Sequence, residues 1–423
     1  MQAPSSPLTH RFLLAAREAE IEALRQLAVG CQQAILTGRL IHELQRERGI
    51  SNVFLASGGE CFARQHPEQV ARSRVAEQAF RQGVADLMPG TGSAPAGMRL
   101  CNCIAAVLLQ LEELDLLRAQ VQQQQLEAAT LTCWLSELIA RLLAVIFELA
   151  DSCGDPELTR ALVATFNFIQ GKEYAGQERA WGAIGFAAGR FEAEQLERLI
   201  NLQDAQQRSF DTFTCYAEAE PLALWHKLQA MPEHAELLRL RGMFSRLQPK
   251  DEVPMPLSEL WYELATCRID RMQQLEAHLE QRLLQKSRDK TAVAEAQLRH
   301  HRQQLNTLIE AAAQRTAPVN LTPMAELLRS PGHEAGGLND TVYDLLLTQA
   351  RHLEQVQKEL ELARSALDER KQIERAKGLL MKYHGLSEEQ AYRQMRQQAM
   401  QANIRLADLA ARLIAACDGL GHS

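Results

Sequence analysis

The sequence predicts an all-α protein, and two observations support that prediction. Nearly every segment is a long run rich in Ala, Leu, Glu, Gln and Arg, which have high helix propensity. β-Branched residues are few, and no strand-like alternation is bounded by turn dipeptides. At 423 residues, 46% of them hydrophobic, the chain is long enough for two or three domains.

Clusters of Gly and Pro divide the N-terminal part of the chain into separate helices. They lie at residues 57–60, 89–97, 153–156 and 249–256, where they predict turns. The segments between them are long enough for one or two antiparallel bundles. We therefore expect an N-terminal helical-bundle sensor domain over residues 1–310.

A larger boundary follows, because Pro, Gly and Asn concentrate between Thr316 and Asn339. We assign residues 311–340 to a linker and residues 341–370 to a long coiled-coil signalling helix. That helix keeps a seven-residue apolar repeat, which suits a two-stranded coiled coil and predicts a homodimer. The alternative is an amphipathic helix that packs within its own monomer. The repeat consists of Leu346, Leu353, Val356, Leu360, Ala363 and Leu367.

The C-terminal segment, residues 371–423, predicts a long helix followed by two short ones. Gly385 is placed to end the long helix, Ser387 and Gln390 have capping-box spacing, and Asn403 is placed to cap the last helix. Residues 365–415 carry nine Lys or Arg against six Asp or Glu, a net charge of +3, whereas the whole chain carries −7. This asymmetry indicates a local polyanion-binding surface rather than a uniformly basic protein.

The composition also limits the possible classes of protein. Nine scattered cysteines are typical of reduced thiols in a cytoplasmic protein, and no metal-ligand spacing is completed. The apolar segment Leu131–Ala150 contains three charged residues, which favours a buried helix over a membrane span. The N-terminus lacks the apolar core of a signal peptide. No catalytic arrangement stands out, so we expect a cytoplasmic non-enzyme without a membrane segment, a cofactor or a metal.

A basic face is predicted on the C-terminal helices. Lys371, Arg375, Gly378 and Lys382 follow helical spacing along one stripe. Because glycine costs about 1 kcal/mol in a helix relative to alanine, Gly378 is better explained by close approach of a partner such as a phosphate backbone. The alternative is an ordinary solvated charged face. Neighbouring candidates for the same surface are Lys377, Arg393, Arg396 and Arg405.

Two N-terminal helices each place an arginine on a face that is otherwise mostly apolar or small. Arg48 lies in LQRERGIS and Arg179 in GQERAWG, and the Glu-Arg pair of the first motif recurs in the second. Two interpretations remain open from helical phase. Either each arginine forms a buried ion pair with a neighbouring acid, such as Glu43, Glu47 or Glu178, or the counterion is a small ligand. A flat delocalised anion suits the guanidinium fork.

The segment ALDERKQIERAKGLLMKYHGLSEEQAYRQMRQQAMQANIRLADLAARLI, residues 366–414, resembles an ANTAR domain along its length. Its AKG-LM core, the Gly before a capped helix, and the Asn-x-Arg-Leu-x-Asp-Leu-Ala ending support the resemblance. The sequence departs mildly at Met395, where the family usually has Leu. The resemblance implies binding to paired stem-loops in leader mRNA. By position it implicates Lys377, Gly378, Arg396, Asn403 and Arg405.

The region from about Ile35 to Glu310 resembles the NIT domain, a helical sensor of nitrate and nitrite. The motifs LIHELQRERGISNVFLAS and KEYAGQERAWGAIGF support this resemblance. It implies an anion held between arginines of facing helices, with Arg48 and Arg179 as first choices. A further arginine is expected from ELLRLRGMF, either Arg239 or Arg241, which helical phase does not separate.

The order of the two domains resembles that of nitrate-responsive transcription antiterminators. It implies that nitrate or nitrite, as a regulatory ligand, frees the ANTAR domain to bind leader mRNA hairpins and prevent terminator formation. Nitrate assimilation genes are then the expected targets. The alternatives are a helical signalling adaptor and a DNA-binding regulator that responds to another small anion.

Overall fold

A computed structural model describes residues 8–87, 97–249, 251–254, 257–314, 338–386, 388–402 and 404–420. Within these ranges every regular element is an α-helix, which confirms the predicted all-α class. The helices are α1 (Leu8–Ala56), α2 (Gln65–Asp86), α3 (Met98–Gln122), α4 (Ala128–Ser152), α5 (Pro156–Ala187), α6 (Ala193–Tyr216), α7 (Ala219–Gln229), α8 (Pro232–Phe244), α9 (Leu257–Gln314), α10 (Leu338–His384), α11 (Glu388–Ala402) and α12 (Leu406–Leu420).

Two described helix ends show clear local sequence signals. α5 begins after Asp155, whose carboxylate accepts hydrogen bonds from the backbone N–H groups of Glu157 and Leu158 at 3.0 and 2.9 Å. α10 ends before Gly385, which has a left-handed φ of +64°. The predicted break at 89–97 and the capping residues Ser387 and Asn403 fall almost entirely outside the described residues.

α5 is the central helix of the N-terminal domain, because its two ends pack into different cores. Its first half joins α1, α2, α3 and α4 around residues such as Phe166 and Ile169. Another face of α5 and its C-terminal end pack with α6, α7, α8 and α9 around two aromatic groups, one at Phe168 and one at Phe186. α5 therefore connects both halves of the domain.

α4 is long and apolar enough to cross a membrane by length and composition. In this structure it is a core helix, since Leu138, Ile139 and Leu142 have no exposed surface and pack against α1, α3 and α5. The expectation of a buried helix at Leu131–Ala150 is confirmed.

α10 is one continuous helix that spans both the predicted coiled-coil segment and the first helix of the C-terminal domain. Residues 315–337 of the predicted linker lie outside the described residues. Near its middle, Leu367 is 1% exposed and packs into the core formed by α1–α5. Its C-terminal part packs with α11 and α12 around Ala376, Met395 and Ala410. The C-terminal helices are therefore docked on the N-terminal domain through α10.

Candidate functional site

Arg48 is buried in the N-terminal bundle, as its helical phase predicts. On the same face of α1, Ile41 and Leu44 have no exposed surface, and Arg48 and Ser51 are each 2% exposed. A guanidinium in such a position requires hydrogen-bond acceptors and a counterion.

Glu173 of α5 supplies both requirements in this structure. Arg48 donates through Nη1 to Glu173 Oε1 at 2.6 Å and through Nη2 to Glu173 Oε2 at 3.1 Å. Nη1 also donates to the hydroxyl of Ser136 at 2.7 Å. The arginine therefore forms a bidentate buried ion pair, but with none of the three acids that its own neighbourhood suggested. Those acids bind elsewhere: Glu47 pairs with Arg118, Glu43 accepts from Gln69, and Glu178 pairs with Arg241.

Arg179 of α5 is mostly buried and, within the described part of the chain, forms no ion pair with a carboxylate. Its Nη1 donates to Thr266 of α9 at 3.1 Å, and its guanidinium carbon lies 5.3 Å from the centre of the Tyr262 ring. Burial is the largest cause that lowers the pKa of Arg179, and the charge of Arg48 lowers it further, whereas Tyr262, Asp270 and Glu173 act in the opposite direction. A positive charge is thus buried here beside another positive charge.

Two helical glycines allow the arginines to cross between α1 and α5. A Cβ added at Gly49 would lie 2.9 Å from Nη2 of Arg179, and one at Gly176 would lie 3.1 Å from Nη2 of Arg48. Each arginine therefore rests against a glycine of the opposite helix. This reciprocal contact explains why RERG and GQER carry Arg and Gly at these positions.

The charges of this arginine pair do not balance. Arg48 and Arg179 contribute two positive charges, and Glu173 contributes one negative charge. The other direct contacts of the two arginines are neutral groups, and the Asp270 carboxylate acts on Arg179 from beyond ion-pair distance. One monovalent anion would complete the balance, and the fork of each guanidinium suits an anion with several oxygens. An open surface depression of about 480 Å³ is lined by α9 residues that include Tyr262 and Thr266, both in contact with Arg179.

The structure separates Arg239 from Arg241, which helical phase did not. The Arg239 side chain is 76% exposed and pairs with Glu236 on the same surface, so it lies outside the buried arginine pair. Arg241 is 11% exposed and pairs with Glu178. Only Arg241 points into the bundle.

Arg241 belongs to a second buried arginine pair, across α5 from the first. Arg241 and Arg268 both donate to Oε1 of Gln206, at 2.7 and 2.8 Å, and among the described residues Glu178 is the carboxylate that pairs with Arg241. Burial lowers the pKa of Arg268, and the charge of Arg241 lowers it further. Arg268 is a site candidate that the sequence reasoning missed, because no motif places α9 against α8.

Three of the predicted RNA-face residues pair with carboxylates of the N-terminal domain while their side chains remain between 28% and 48% exposed. Lys371 pairs with Asp151, Arg393 with Glu197 and Arg396 with Asp204, each at 2.5 Å.

Aromatic contacts extend the same docked surface. Arg370 lies over Phe166 at 4.8 Å, and Arg208 lies over Tyr392 at 5.0 Å.

The other predicted RNA-face residues that the structure describes lie on α10 and immediately before α12. Lys382 and Gly378 are exposed, and no atom lies within 4 Å of a Cβ added at Gly378. Lys377 pairs with Glu374 at 2.6 Å, and Arg405 pairs with Glu369 and Asp408 while remaining 69% exposed. Arg375 is exposed, and Asn403 lies outside the described residues.

Metal binding has no support among the described residues, where no group of three or more His, Cys, Asp or Glu is placed to hold an ion.

Glu173 is the other residue that the sequence reasoning missed. Its position one turn before Gly176, within the same motif as Arg179, was a signal that it belongs to the site.

Comparison with known proteins agrees with these two regions. Residues 39–284, more than half of the chain, match the NIT family, described as nitrate and nitrite sensing, and residues 361–414 match the ANTAR domain family. The chain is 33% identical over 419 residues to the nitrate regulatory protein of Klebsiella oxytoca, covering 97% of this chain and 96% of that protein. It is also similar to the solved structure of the NasR transcription antiterminator, with 31% identity, a TM-score of 0.59, and coverage of 97% of this chain and 100% of that one. The chain therefore belongs to the family of NIT-domain regulatory proteins that carry a C-terminal ANTAR domain.

Proposed function

We propose that this protein is a nitrate- or nitrite-responsive transcription antitermination regulator. The anion binds between Arg48 and Arg179, and the ANTAR domain then binds hairpins in leader mRNA and prevents terminator formation. The observation that carries the proposal is the mostly buried Arg179, which forms no ion pair with any carboxylate that the structure describes and lies beside a second arginine. A monovalent oxyanion supplies both the missing charge and the missing acceptors.

The contacts of α11 and α10 support a mechanism in which the anion releases the ANTAR domain. Asp151, Glu197 and Asp204 pair with three basic residues of the predicted RNA face, of which the family resemblance implicates Arg396. A carboxylate and a phosphate compete for the same guanidinium or ammonium group. RNA binding by this face therefore requires the docked contacts to open.

α5 provides a physical connection between the two events. Arg179 and Gly176 of α5 line the anion site, and Phe166 of the same helix stacks under Arg370 of α10. About ten residues of helix separate them, which corresponds to about 15 Å along the axis. A shift of α5 on anion binding reaches the docking surface without passing through a loop.

The domain assignment and assembly are part of the same proposal. Residues 1–310 form the sensor, residues 311–340 the linker, residues 341–370 the signalling helix and residues 371–423 the RNA-binding domain. We propose a cytoplasmic homodimer that forms through the heptad repeat of α10, except for its last member Leu367, which packs within its own chain. Light scattering on the intact chain, with and without nitrate, tests the dimer.

The anion site is tested by calorimetric titration of the intact protein with nitrate and with nitrite. Wild-type protein should bind about one anion per chain, and Arg179→Gln should weaken binding at least tenfold. Arg179→Gln leaves no carboxylate without a partner, so the fold should be retained. Arg239→Gln, a change at an exposed arginine, is the matched control and should bind as wild type.

Arg48→Ala is a poorer test of the anion site than Arg179→Gln. Removing Arg48 leaves the buried Glu173 carboxylate without its cation, which costs about 3–5 kcal/mol. Loss of the anion response would then be confounded with loss of the fold. If Arg179→Gln binds nitrate as tightly as wild type, or if wild type binds neither anion, the proposed site is wrong.

A further inference from the structure

We propose that Glu173 is a built-in competitor of the regulatory anion, and that it selects for monovalent anions. The inference rests on the proposed anion site at Arg48 and Arg179. In this structure the Glu173 carboxylate accepts hydrogen bonds from the Arg48 guanidinium. The incoming anion replaces Glu173 as the acceptor of those hydrogen bonds.

The geometry of the ion pair is that of a bound oxyanion. Both oxygens of Glu173 accept from the two terminal nitrogens of Arg48, at 2.6 and 3.1 Å. Two coplanar oxygens of a flat anion make the same pair of bonds to a guanidinium. Glu173 and the anion therefore bind the same donors and exclude each other.

Glu173 has a second set of donors that can hold it after the exchange. Gln45 of α1 donates to Oε2 at 2.8 Å, and Gln177 of α5 donates to Oε1 at 2.8 Å. Because these amides remain, a carboxylate displaced from Arg48 keeps hydrogen-bond partners inside the protein. The exchange thus avoids the high cost of a buried carboxylate without any partner.

Charge balance explains the selection for monovalent anions. With Glu173 ionised, the arginine pair carries one excess positive charge, which nitrate neutralises and sulfate overcompensates. Replacing Glu173 with Gln leaves two positive charges on Arg48 and Arg179 and no internal competitor. The variant should therefore bind nitrate more tightly and should accept a dianion.

Glu173 is also placed to couple the exchange to the docked domain. It lies on α5, seven residues or about 10 Å along the helix from Phe166, which stacks under Arg370. Exchange of partners at Glu173 alters the α1–α5 contact on the helix that α10 packs against. Glu173 is therefore a positioning residue: it affects anion binding through its contact with Arg48.

The test is calorimetric titration of intact Glu173→Gln protein with sodium nitrate, followed by displacement of nitrate with sodium sulfate. We expect the nitrate Kd to fall at least tenfold, and sulfate to displace nitrate from the variant but not from wild type. If Glu173 merely supported the fold, the nitrate Kd of Glu173→Gln would rise instead, because damage to the site weakens binding. Unchanged or weaker nitrate binding by Glu173→Gln overturns the proposal.

Glu47→Gln is the matched control. Glu47 also forms a bidentate buried pair, with Arg118 Nε and Nη2 at 2.8 and 2.9 Å, and it precedes Arg48 on the same helix. Its loss should leave the nitrate Kd within about twofold of wild type. Equal tightening in both variants would overturn the proposal, because the effect would then not depend on contact with Arg48.

Gln45→Met provides the test if Glu173→Gln does not fold. Gln45 is 7% exposed, and methionine has a similar shape without the amide donor. Displaced Glu173 then loses one of its alternative partners, so nitrate binding should weaken at least threefold, and an unchanged Kd overturns the proposal. If wild-type protein does not bind nitrate, the proposed function is wrong. If wild-type protein binds nitrate but the variants do not show the predicted changes in Kd, only the role of Glu173 is wrong.

Discussion

The docked ion pairs between the two domains give the most detailed prediction. Glu197 pairs with Arg393 and Asp204 with Arg396, and all four side chains are between 36% and 48% exposed. At this exposure, solvent screening limits each pair to about 0.5–1 kcal/mol. Removing both acids should therefore weaken docking by about 1–2 kcal/mol, equivalent to a factor of about 5 to 30 in the docking equilibrium.

The perturbation is the double variant Glu197→Gln/Asp204→Asn, and the assay is fluorescence anisotropy of a labelled leader hairpin without nitrate. If the docked form predominates, the apparent RNA affinity should rise by the same factor of about 5 to 30. With saturating nitrate the variant and wild type should converge, because neither acid contacts RNA in the released form.

Asp211→Asn is the control for this experiment. Asp211 is an exposed acid on the same helix, and its carboxylate accepts from Gln207 at 2.8 Å. It should leave the RNA affinity unchanged. Equal nitrate-free affinities of the double variant and wild type would refute the reasoning that these carboxylates compete with RNA.

Three further predictions follow from individual residues. Gly49→Ala should displace the Arg179 guanidinium, which would lie 2.9 Å from the new Cβ, and should weaken nitrate binding at least fivefold by calorimetry with little change in Tm. Burial raises the pKa of Glu280 to about 7, so the native state binds more protons than the unfolded state between about pH 4.5 and 7, and stability falls as pH rises through that range. Glu280→Gln has no titrating carboxyl at this position and should not lose stability in this way. Urea titrations should therefore show its free energy of unfolding increasing relative to that of wild type by up to about 3 kcal/mol from pH 5 to pH 8. A difference that is constant with pH would contradict the raised pKa of Glu280. Arg405→Gln should weaken hairpin binding severalfold and reduce the slope of the logarithm of the binding constant against the logarithm of salt concentration by about 1. An unchanged slope would show that Arg405 does not contact RNA.

Helical periodicity predicted the orientation of side chains within single helices. It placed Arg48 on the same face as Ile41 and Leu44, and the structure buries all three. Gly385 was likewise recognisable, because a left-handed residue at a helix end favours glycine. These features depend on residues that are neighbours along the chain.

Partners across helices could not be predicted from the same information. Glu173 is 125 residues from Arg48, and periodicity does not specify which face of α5 meets which face of α1. Arg241 rather than Arg239 turns inward because α8 packs between α6 and α9, a tertiary arrangement without a local signal. The acids that dock the ANTAR domain, Asp151 of α4 and Glu197 and Asp204 of α6, carry no local sequence signal that marks them as docking residues.

The central claim is that one anion site controls RNA binding by the same chain. It is tested most directly by measuring leader-hairpin affinity with and without saturating nitrate in wild type and Arg179→Gln, with duplex DNA as competitor. We expect nitrate to raise the wild-type RNA affinity at least tenfold and to leave the variant unchanged, and RNA should raise nitrate affinity by the same factor. A wild-type RNA affinity that is independent of nitrate would contradict the account.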